Sequence, residues 1–197
     1  MSRMNPVLET GARLAALDAA DPRAYRDTMG LFATGVTVIT MASDSEYHGM
    51  TANAVMSVSL TPPLVAVSIA LDTFSNRFIR KARGFSVNIL GKDDVGVALG
   101  FARPAARGSD LFGEEVVLGP TGDPVVAGSI AHVGCSLRSV YEEGDHAIVV
   151  GHVDALLSDE RSPRPLVFFG GRFSSTTCHA CVVDGDLTEV LHSLHLV

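Results

Sequence analysis

The stretch that most constrains the fold of this chain runs over residues 48–71. Apolar residues on both sides of Pro62 and Pro63 predict two β-strands joined at the prolines. Hydroxyl and amide groups between apolar neighbours form a suitable lining for a flat ligand with polar edges, so we expect a binding site here. The stretch holds more small polar side chains than a sheet core requires: Thr51, Asn53, Ser57, Ser59, Thr61 and Ser68.

The size and composition of the chain predict one domain with a substantial core. It has 197 residues, of which 47% are hydrophobic and 19% are charged, and this disfavours disorder. No apolar run reaches the roughly 18 to 20 residues that cross a bilayer, and residues 1–27 lack the apolar core of a signal peptide. Three cysteines, an odd number, argue against a disulfide framework. We expect a soluble, cytoplasmic protein without a membrane partner.

The charge of the chain argues against nucleic acid as a partner. The formal net charge is -7, and the only lysines are Lys81 and Lys92. A nucleic-acid-binding surface takes its affinity from a basic face, which this composition does not supply. A local group of arginines is still compatible with a phosphate ligand.

The pattern along the rest of the chain is mostly β. Short helices are predicted at residues 25–32, after residue 71 and at 93–103, with Thr73 or Ser75 starting the second helix and Gly84 ending it. About six or seven strands with short antiparallel connections favour a closed or partly closed barrel over a doubly wound sheet. The other strands are predicted at 36–40, 85–90, 130–141, 147–157 and 166–169, with a short one at 115–118 in a surface loop over 104–124.

The first candidate site is the start of the second predicted helix. A helix N-terminus presents unpaired backbone N–H groups and a partial positive charge. Thr73, Ser75 and Asn76 add polar side chains there, and Arg77 and Arg80 follow within two turns. This pattern predicts a phosphate site, and an ordinary capped helix is the alternative. The sequence contains no Rossmann, P-loop, zincin or hydrolase-elbow signature, so a nucleotide would need another scaffold.

The second candidate site is the tripeptide Gly144-Asp145-His146, which comes directly before a predicted strand. A histidine beside an aspartate can hydrogen-bond a polar ligand or a phosphate group. The alternative is that Gly-Asp forms a hairpin turn and that His146 is an exposed residue at the start of the strand.

The third candidate site is the pair Cys178 and Cys181, which His192 and His195 follow. The CxxC spacing fits zinc or a dithiol, but a structural zinc site usually takes two ligand pairs from tight turns. These two histidines instead lie on an apolar tail with helical spacing, so we expect no metal. The remaining histidines on predicted strands are expected to be structural: His48, His132 and His152.

Six blocks of sequence in a fixed order carry a resemblance that no single motif carries. They lie at residues 32–40, 48–53, 57–60 with 62–65, 85–90, 144–146 and 165–168. Together they resemble the flavin reductase family, whose members supply reduced flavin to two-component monooxygenases. The resemblance covers residues 25–173, which are predicted to form one domain. Residues 1–24 are predicted to be a peripheral arm and residues 174–197 a C-terminal tail.

The resemblance implies a fold, an activity and a set of site residues. The fold is a mainly β, FMN-binding split β-barrel, a Greek-key-like antiparallel barrel that usually forms a homodimer with flavin near the subunit interface. The activity is hydride transfer from NADH or NADPH to FMN or FAD, with a flavin-dependent oxygenase as partner. His146 is implied to be the catalytic residue that contacts the nicotinamide nucleotide. The implied flavin contacts are Thr51, Ala52 and Asn53 at the isoalloxazine edge, Ser57 and Val58 at the ribityl side, Ser68 and Ile69 at the ring or ribityl, and Thr73 and Ser75 at the phosphate.

The chemistry of these residue types agrees with the implied roles. Flavin carries out the electron chemistry itself, so hydroxyl, amide and backbone groups are sufficient and no general base is required. Two other classes stay open, a flavin-binding protein without nicotinamide turnover and an oxygenase-associated interaction protein. The sequence does not choose between NADH and NADPH or between FMN and FAD. Residues 91–94 also depart from the family pattern, which leaves the position of the following helix open.

Overall fold

The described part of the chain forms one large antiparallel sheet, one small sheet and three short helices. The computed structural model describes residues 14–44, 46–103, 112, 116–161 and 164–176. The large sheet has the strand order β3-β2-β6-β7-β8-β5-β4 and the small one β1-β9-β10, so the mainly β prediction is confirmed. The elements in chain order are α1 (Pro22–Met29), β1 (Thr34–Gly35), β2 (Thr37–Ser43), β3 (Glu46–Ala52), β4 (Val55–Leu60), β5 (Pro63–Ala70), α2 (Phe74–Ile79), β6 (Gly84–Ile89), α3 (Val95–Phe101), β7 (Ala131–Glu143), β8 (His146–Ser158), β9 (Leu166–Phe169) and β10 (Arg172–Ser175).

Helix α2 contacts strands near both ends of the large sheet, whose edge strands are β3 and β4. It packs against β2, β3 and β5 and places Phe78 and Ile79 in the main core, where both are buried. Thr73 is the N-cap and accepts a hydrogen bond from the backbone N–H of Asn76, as predicted for one of two candidate caps. Gly84 was predicted to end this helix, but it begins β6 instead. The helix therefore joins β2 and β3 at one end of the strand order to β5 near the other, as in a partly closed barrel.

Residues 48–71 form three strands instead of the predicted two. β3 pairs with β2, whereas β4 pairs with β5, so the chain changes neighbours at Asn53 and Ala54. The hydrophobic pattern did not indicate this break because the apolar residues continue on both sides of it. The consequence is that Asn53 lies between the two edge strands and not within a continuous ribbon.

Other predicted elements differ from the observed ones at their ends. Helix α1 begins earlier than predicted because Asp21 caps it and Pro22 occupies its first turn. β10 was not predicted, and it crosses the predicted domain boundary at residue 173. The predicted strand at 115–118 is seen only as an isolated bridge between Leu118 and Pro124, and residue 115 lies outside the described residues. None of the helices in the described ranges is long and apolar enough to cross a bilayer.

A buried polar network joins the loop before β7 to the barrel. The amide Nδ2 of Asn88 donates to the carbonyl oxygen of Val38 at 3.1 Å and to Thr40 Oγ1 at 3.0 Å. The amide oxygen of Asn88 accepts from the backbone N–H of Val126 at 3.1 Å and lies 3.0 Å from His132 Nδ1. Since that oxygen can only accept, His132 is the donor and its Nδ1 carries the proton. The expectation that His132 is structural is confirmed.

The burial of His132 predicts a pH dependence of stability. Its side chain is 2% exposed, and burial lowers its pKa because the charged imidazolium loses hydration. The unfolded chain therefore takes up this proton first as the pH falls through about 6.5, and the free energy of unfolding decreases below that pH. Urea unfolding of the wild type and of His132→Gln across this range measures the effect. The wild type should lose up to about 1.4 kcal/mol more per pH unit than the variant, and equal slopes would contradict the assignment.

Candidate flavin site

A cleft of about 990 Å³ lies between helix α1, the start of β4, the end of β5 and the turn between β9 and β10. Most of its lining is apolar, with a few polar groups at defined positions, which is typical of a small-molecule site. The residues that line it are Tyr25, Arg26, Asp27, Met29, Gly30, Phe32, Thr34, Asn53, Ala54, Val55, Met56, Ala66, Val67, Ser68, Ile148, Phe168, Gly170 and Gly171.

Two of the predicted site residues, Asn53 and Ser68, line this cleft. Asn53 is exposed, and its amide Nδ2 donates to Thr34 Oγ1 at 3.2 Å. Ser68 donates its backbone N–H to the carbonyl oxygen of Ala54 at 3.0 Å. This bond joins β5 to the residue directly before β4. Residues 48–71 thus bring two polar residues to the lining of the cleft, and their contact with a ligand stays a prediction.

Thr51 and Ala52 lie just before Asn53 but are engaged within the fold. The hydroxyl of Thr51 donates to the carbonyl oxygen of Ala98 at 2.6 Å, which joins β3 to helix α3. The carbonyl oxygen of Ala52 accepts from Thr37 Oγ1 at 2.7 Å, and its side chain is buried. Their effect on the cleft is therefore to hold Asn53 in place.

Ser57 and Val58 are exposed on β4 and do not line the cleft. The pairing of β4 with β5 shifts register between Ser57 and Ser59, so the strand carries a bulge at these positions. β4 is also an edge strand, and both residues are exposed on the surface of the monomer.

The positions of Ile69 and Ser75 argue against their predicted ligand contacts. The side chain of Ile69 is completely buried in the main core, because alternate residues of a strand face opposite sides and Ser68 takes the cleft side. Ser75 is buried, and its hydroxyl lies 2.7 Å from His48 Nε2. His48 also packs edge-on against Phe74, so it has the structural role that was predicted. The correction is that these two side chains stabilise the core.

Thr73 is half-buried, and its hydroxyl already has two partners. It donates to the carbonyl oxygen of Ala70 at 2.7 Å and accepts from the N–H of Asn76 at 3.2 Å. A phosphate at this position would compete with the helix cap. The capped-helix alternative therefore describes this segment as the structure shows it.

His146 lies two residue pairs beyond the cleft along the paired strands β5 and β8. On the paired strands β5 and β8, Ser68 is opposite Ile148 and Ala70 is opposite His146. Since alternate residues of a strand share a face, His146 and Ile148 point to the same side, roughly 7 Å apart along β8. Ile148 lines the cleft, so His146 is placed at its rim.

The ring orientation of His146 is set by its neighbour Asp145. Nδ1 of His146 lies 2.6 Å from Asp145 Oδ1, and this hydrogen bond lowers the pKa of the Asp145 carboxyl. Because the carboxylate accepts, Nδ1 carries the proton and Nε2 is directed away from Asp145. Gly144, with a φ of 61°, and Asp145 form the two-residue turn between β7 and β8, so the hairpin-turn alternative is also correct.

Sequence reasoning missed one wall of the cleft. Tyr25, Arg26 and Met29 come from helix α1, and Gly170 and Gly171 come from the β9–β10 turn. Both glycines have positive φ values, 56° and 77°, which a turn of this shape requires. The Gly170-Gly171 pair was the available signal for this turn, whereas nothing in the sequence indicated that it would meet α1.

The cleft has the composition that a flavin requires. Apolar side chains of Met56, Ala66 and Ile148 offer contact to a planar ring system, and Asn53 and Ser68 offer hydrogen-bonding groups to its polar edge. No group of three or more His, Cys, Asp or Glu that could hold a metal occurs among the described residues. The predicted cysteine pair and histidines of residues 178–195 lie outside the described ranges.

Comparison with known proteins identifies the class to which this fold and cleft belong. The flavin reductase like domain matches residues 29–177. The chain belongs to the flavin reductase family, as the sequence resemblance predicted.

Two curated relatives match over most of their length. The reductase subunit HsaB of a flavin-dependent monooxygenase from Rhodococcus jostii is 37% identical over 166 residues, which cover 84% of this chain and 83% of HsaB. An NADH-dependent FAD reductase from Streptomyces globisporus is 38% identical over 177 residues, which cover 86% of this chain and 93% of the relative.

Solved structures of flavin reductases have the same fold. The NADH:FAD oxidoreductase SgcE6 of Streptomyces globisporus, in complex with NAD and FAD fragments, superposes with a TM-score of 0.78 at 35% identity, covering 85% of this chain and 99% of SgcE6. BorF, the flavin reductase component of a bacterial two-component tryptophan halogenase, gives 0.74 at 36% identity, covering 79% and 98%. The split-barrel prediction is thereby confirmed.

Proposed function

We propose that this protein is an NAD(P)H:flavin oxidoreductase that transfers hydride from NADH or NADPH to FMN or FAD. The observation that carries the proposal is the family match over residues 29–177. Relatives that are 36–38% identical are named NADH-dependent flavin, FAD or FMN reductases. These names favour turnover over flavin binding alone, and they favour NADH over NADPH as the co-substrate.

The residues of the cleft bind and orient the flavin in this proposal. When bound, the flavin supplies the electron chemistry, so the protein contributes position and exclusion of water. Asn53 and Ser68 hydrogen-bond the polar edge of the ring, and Thr51 and Ala52 support Asn53 from β3. The apolar surface of Ile148 and its neighbours keeps water from one side of the ring.

His146 positions the nicotinamide nucleotide at the rim of the cleft in this proposal. The bond from Nδ1 to Asp145 fixes the ring, and Nε2 is then available to a polar group of the nucleotide. With His146 at the rim, the nicotinamide, which is the hydride donor, lies on the exposed side of a flavin ring that is held in the cleft. His146 is a catalytic residue in this proposal because it contacts the co-substrate.

The assembly is proposed to be a homodimer formed along β4. This edge strand exposes large apolar side chains, with Met56 at 58% and Leu60 at 73% exposure, and such strands are places where chains associate. A second copy against β4 would also explain the predicted roles of Ser57 and Val58, because they would then face a flavin at the subunit interface. Light scattering after gel filtration should give twice the mass of one chain, and a monomer would contradict this arrangement.

The reduced flavin is proposed to serve a flavin-dependent oxygenase. HsaB and the 4-nitrophenol monooxygenase relative from Rhodococcus opacus are named as reductase parts of monooxygenases, and BorF as the reductase of a halogenase. The cytoplasmic location and the division into residues 1–24, 25–173 and 174–197 stay predictions.

A steady-state assay tests the proposed activity. The purified protein should oxidise NADH in air at a rate that rises with added FMN or FAD and is negligible without flavin. The ratio of kcat/KM for NADH and NADPH, and for FMN and FAD, then gives the preferred substrates. Oxidation that does not depend on flavin would contradict the proposal.

A further inference from the structure

The hairpin of β7 and β8 carries His146 next to its turn, and near this turn one of its two edges has no neighbouring strand. β7 pairs with β6 only as far as Ser136, and Leu137 then donates its backbone N–H to the carbonyl oxygen of Arg83 at 2.9 Å. Residues 138–143 have no strand partner on this side among the described residues, and we call them the free edge of the hairpin. A two-stranded ribbon without further support opens at a low free energy. The position of His146 therefore depends on what holds the free edge.

An ion pair with helix α2 holds this edge. The guanidinium Nη2 of Arg80 donates to Glu142 Oε1 at 2.6 Å. Glu142 lies opposite Ala147, whose side chain is completely buried, so Glu142 points to the core side of the sheet, where α2 packs. His146 is the next residue along β8 and points to the opposite face. The ion pair thus supports the hairpin from the side that His146 leaves free.

Arg80 is well anchored for this contact. It follows directly after α2, and the last two residues of that helix, Phe78 and Ile79, are buried in the main core. Its backbone N–H also donates to the carbonyl oxygen of Phe78. A hydrogen bond between a guanidinium and a carboxylate is stronger than one between neutral groups. Both side chains are partly exposed, at 41% for Arg80 and 60% for Glu142, so water weakens the pair and its effect is moderate.

We propose that the ion pair of Arg80 and Glu142 positions His146 for the nicotinamide nucleotide by fixing the free edge of the hairpin to helix α2. Both are positioning residues, because they act through His146 and do not contact the nucleotide. The other side of the turn is held by the backbone, where the carbonyl oxygen of Asp145 accepts from the N–H of Leu71 at 2.9 Å. The proposal rests on the proposed function, since it takes His146 as the residue that contacts the nucleotide.

Steady-state kinetics of Arg80→Gln, Glu142→Gln and the charge-reversed double variant Arg80→Glu/Glu142→Arg test the proposal. Each single variant should raise KM for NADH about three- to fivefold, because a smaller fraction of molecules holds His146 in place and because an exposed ion pair contributes no more than this. kcat and flavin affinity should change by less than about twofold. The double variant should recover part of the loss. The control Arg138→Gln changes an exposed arginine of the free edge and should behave as the wild type.

Two further measurements show whether the pair acts through the hairpin and His146. In the His146→Ala protein, adding Arg80→Gln should not change kcat/KM for NADH further, because no imidazole is left to position. Hydrogen exchange of the flavin-free protein gives a readout without turnover. The backbone amides of residues 138–143 should exchange faster in both single variants, and those of residues 131–136 should exchange as in the wild type.

Four results would overturn the proposal. A raised KM in Arg80→Gln but not in Glu142→Gln would mean that Arg80 acts on a ligand and not on the hairpin. An equal loss from Arg80→Gln with and without His146 would mean that the pair does not act through this residue. An equal loss of flavin affinity and NADH affinity would mean that the pair supports the cleft as a whole.

The fourth result is an unchanged KM with unchanged hydrogen exchange in both single variants, because the free edge would then be held by other contacts. A wild type that does not oxidise NADH in the presence of flavin gives a different outcome from all four. The proposed function itself then fails, and this proposal falls with it.

Discussion

Replacing His146 by alanine is expected to lower kcat/KM for NADH about 100-fold. The reason is that a nicotinamide misplaced by about 1 Å reacts about 100-fold more slowly. Flavin affinity should change by less than about twofold, because the nearest pair that lines the cleft, Ser68 and Ile148, is untouched. The side chain is 45% exposed, so the variant should fold normally. Steady-state kinetics with varied NADH and a flavin titration measure the two quantities separately.

The chain provides a matched control for this experiment in His152. It lies on the same strand, and its Nδ1 is 2.8 Å from Asp154 Oδ1, so it forms a second exposed His–Asp pair outside the cleft. His152→Ala should leave kcat/KM unchanged. A similar loss in both variants, or no loss in His146→Ala, would remove His146 from the reaction. Asp145→Asn should give a smaller loss, because an amide holds the imidazole less strongly than a carboxylate.

Replacing Asn53 by alanine is expected to weaken flavin binding roughly 10- to 100-fold, the range for losing hydrogen bonds in a desolvated site. Thermal stability should change little, because Asn53 is exposed and its observed bond is a single 3.2 Å contact to Thr34. The two effects are measured on the same samples by flavin titration and by thermal unfolding.

Ser59→Ala is the control for the Asn53 variant. Ser59 lies on β4, its hydroxyl accepts from the N–H of Thr61 at 3.2 Å, and it does not line the cleft. It should bind flavin as the wild type does. If Asn53→Ala instead loses stability and affinity together, Asn53 belongs to the framework of the barrel and not to its ligand site.

Local patterns in the sequence predicted most of the strands but not which strands pair with each other. The β-branched run at Val36–Thr40 and the long strands β7 and β8 were found because strand propensity is encoded within each segment. The separation of β3 from β4 at Asn53 depends on pairing with β2 and β5, which are distant in sequence. β10 was missed because three of its four residues are polar and its pairing with β9 depends on a turn of two glycines.

The candidate site was also predictable where it depends on local sequence and not where it depends on contacts between distant segments. The polar residues of 48–71 pointed to strands that line the cleft, and the family resemblance pointed to Asn53 and Ser68, which line it, and to His146, whose role stays a prediction. Sequence could not show that the Ser75 hydroxyl is bonded to His48, 27 residues away, or that strand alternation turns Ile69 into the core. It also could not show that Arg26 of α1 faces the cleft, since α1 is joined to that wall by one backbone bond from Gly170. Contacts between distant segments decide which polar side chains are available to a ligand.

Anaerobic mixing of the protein with NADH and oxidised FMN tests the central claim most directly. If residues 48–71 and helix α1 form a flavin site served by His146, the visible absorbance of the flavin should be lost at a rate proportional to protein concentration. His146→Ala should slow this loss and His152→Ala should not. Unchanged absorbance with both FMN and FAD, and with both NADH and NADPH, would contradict the account.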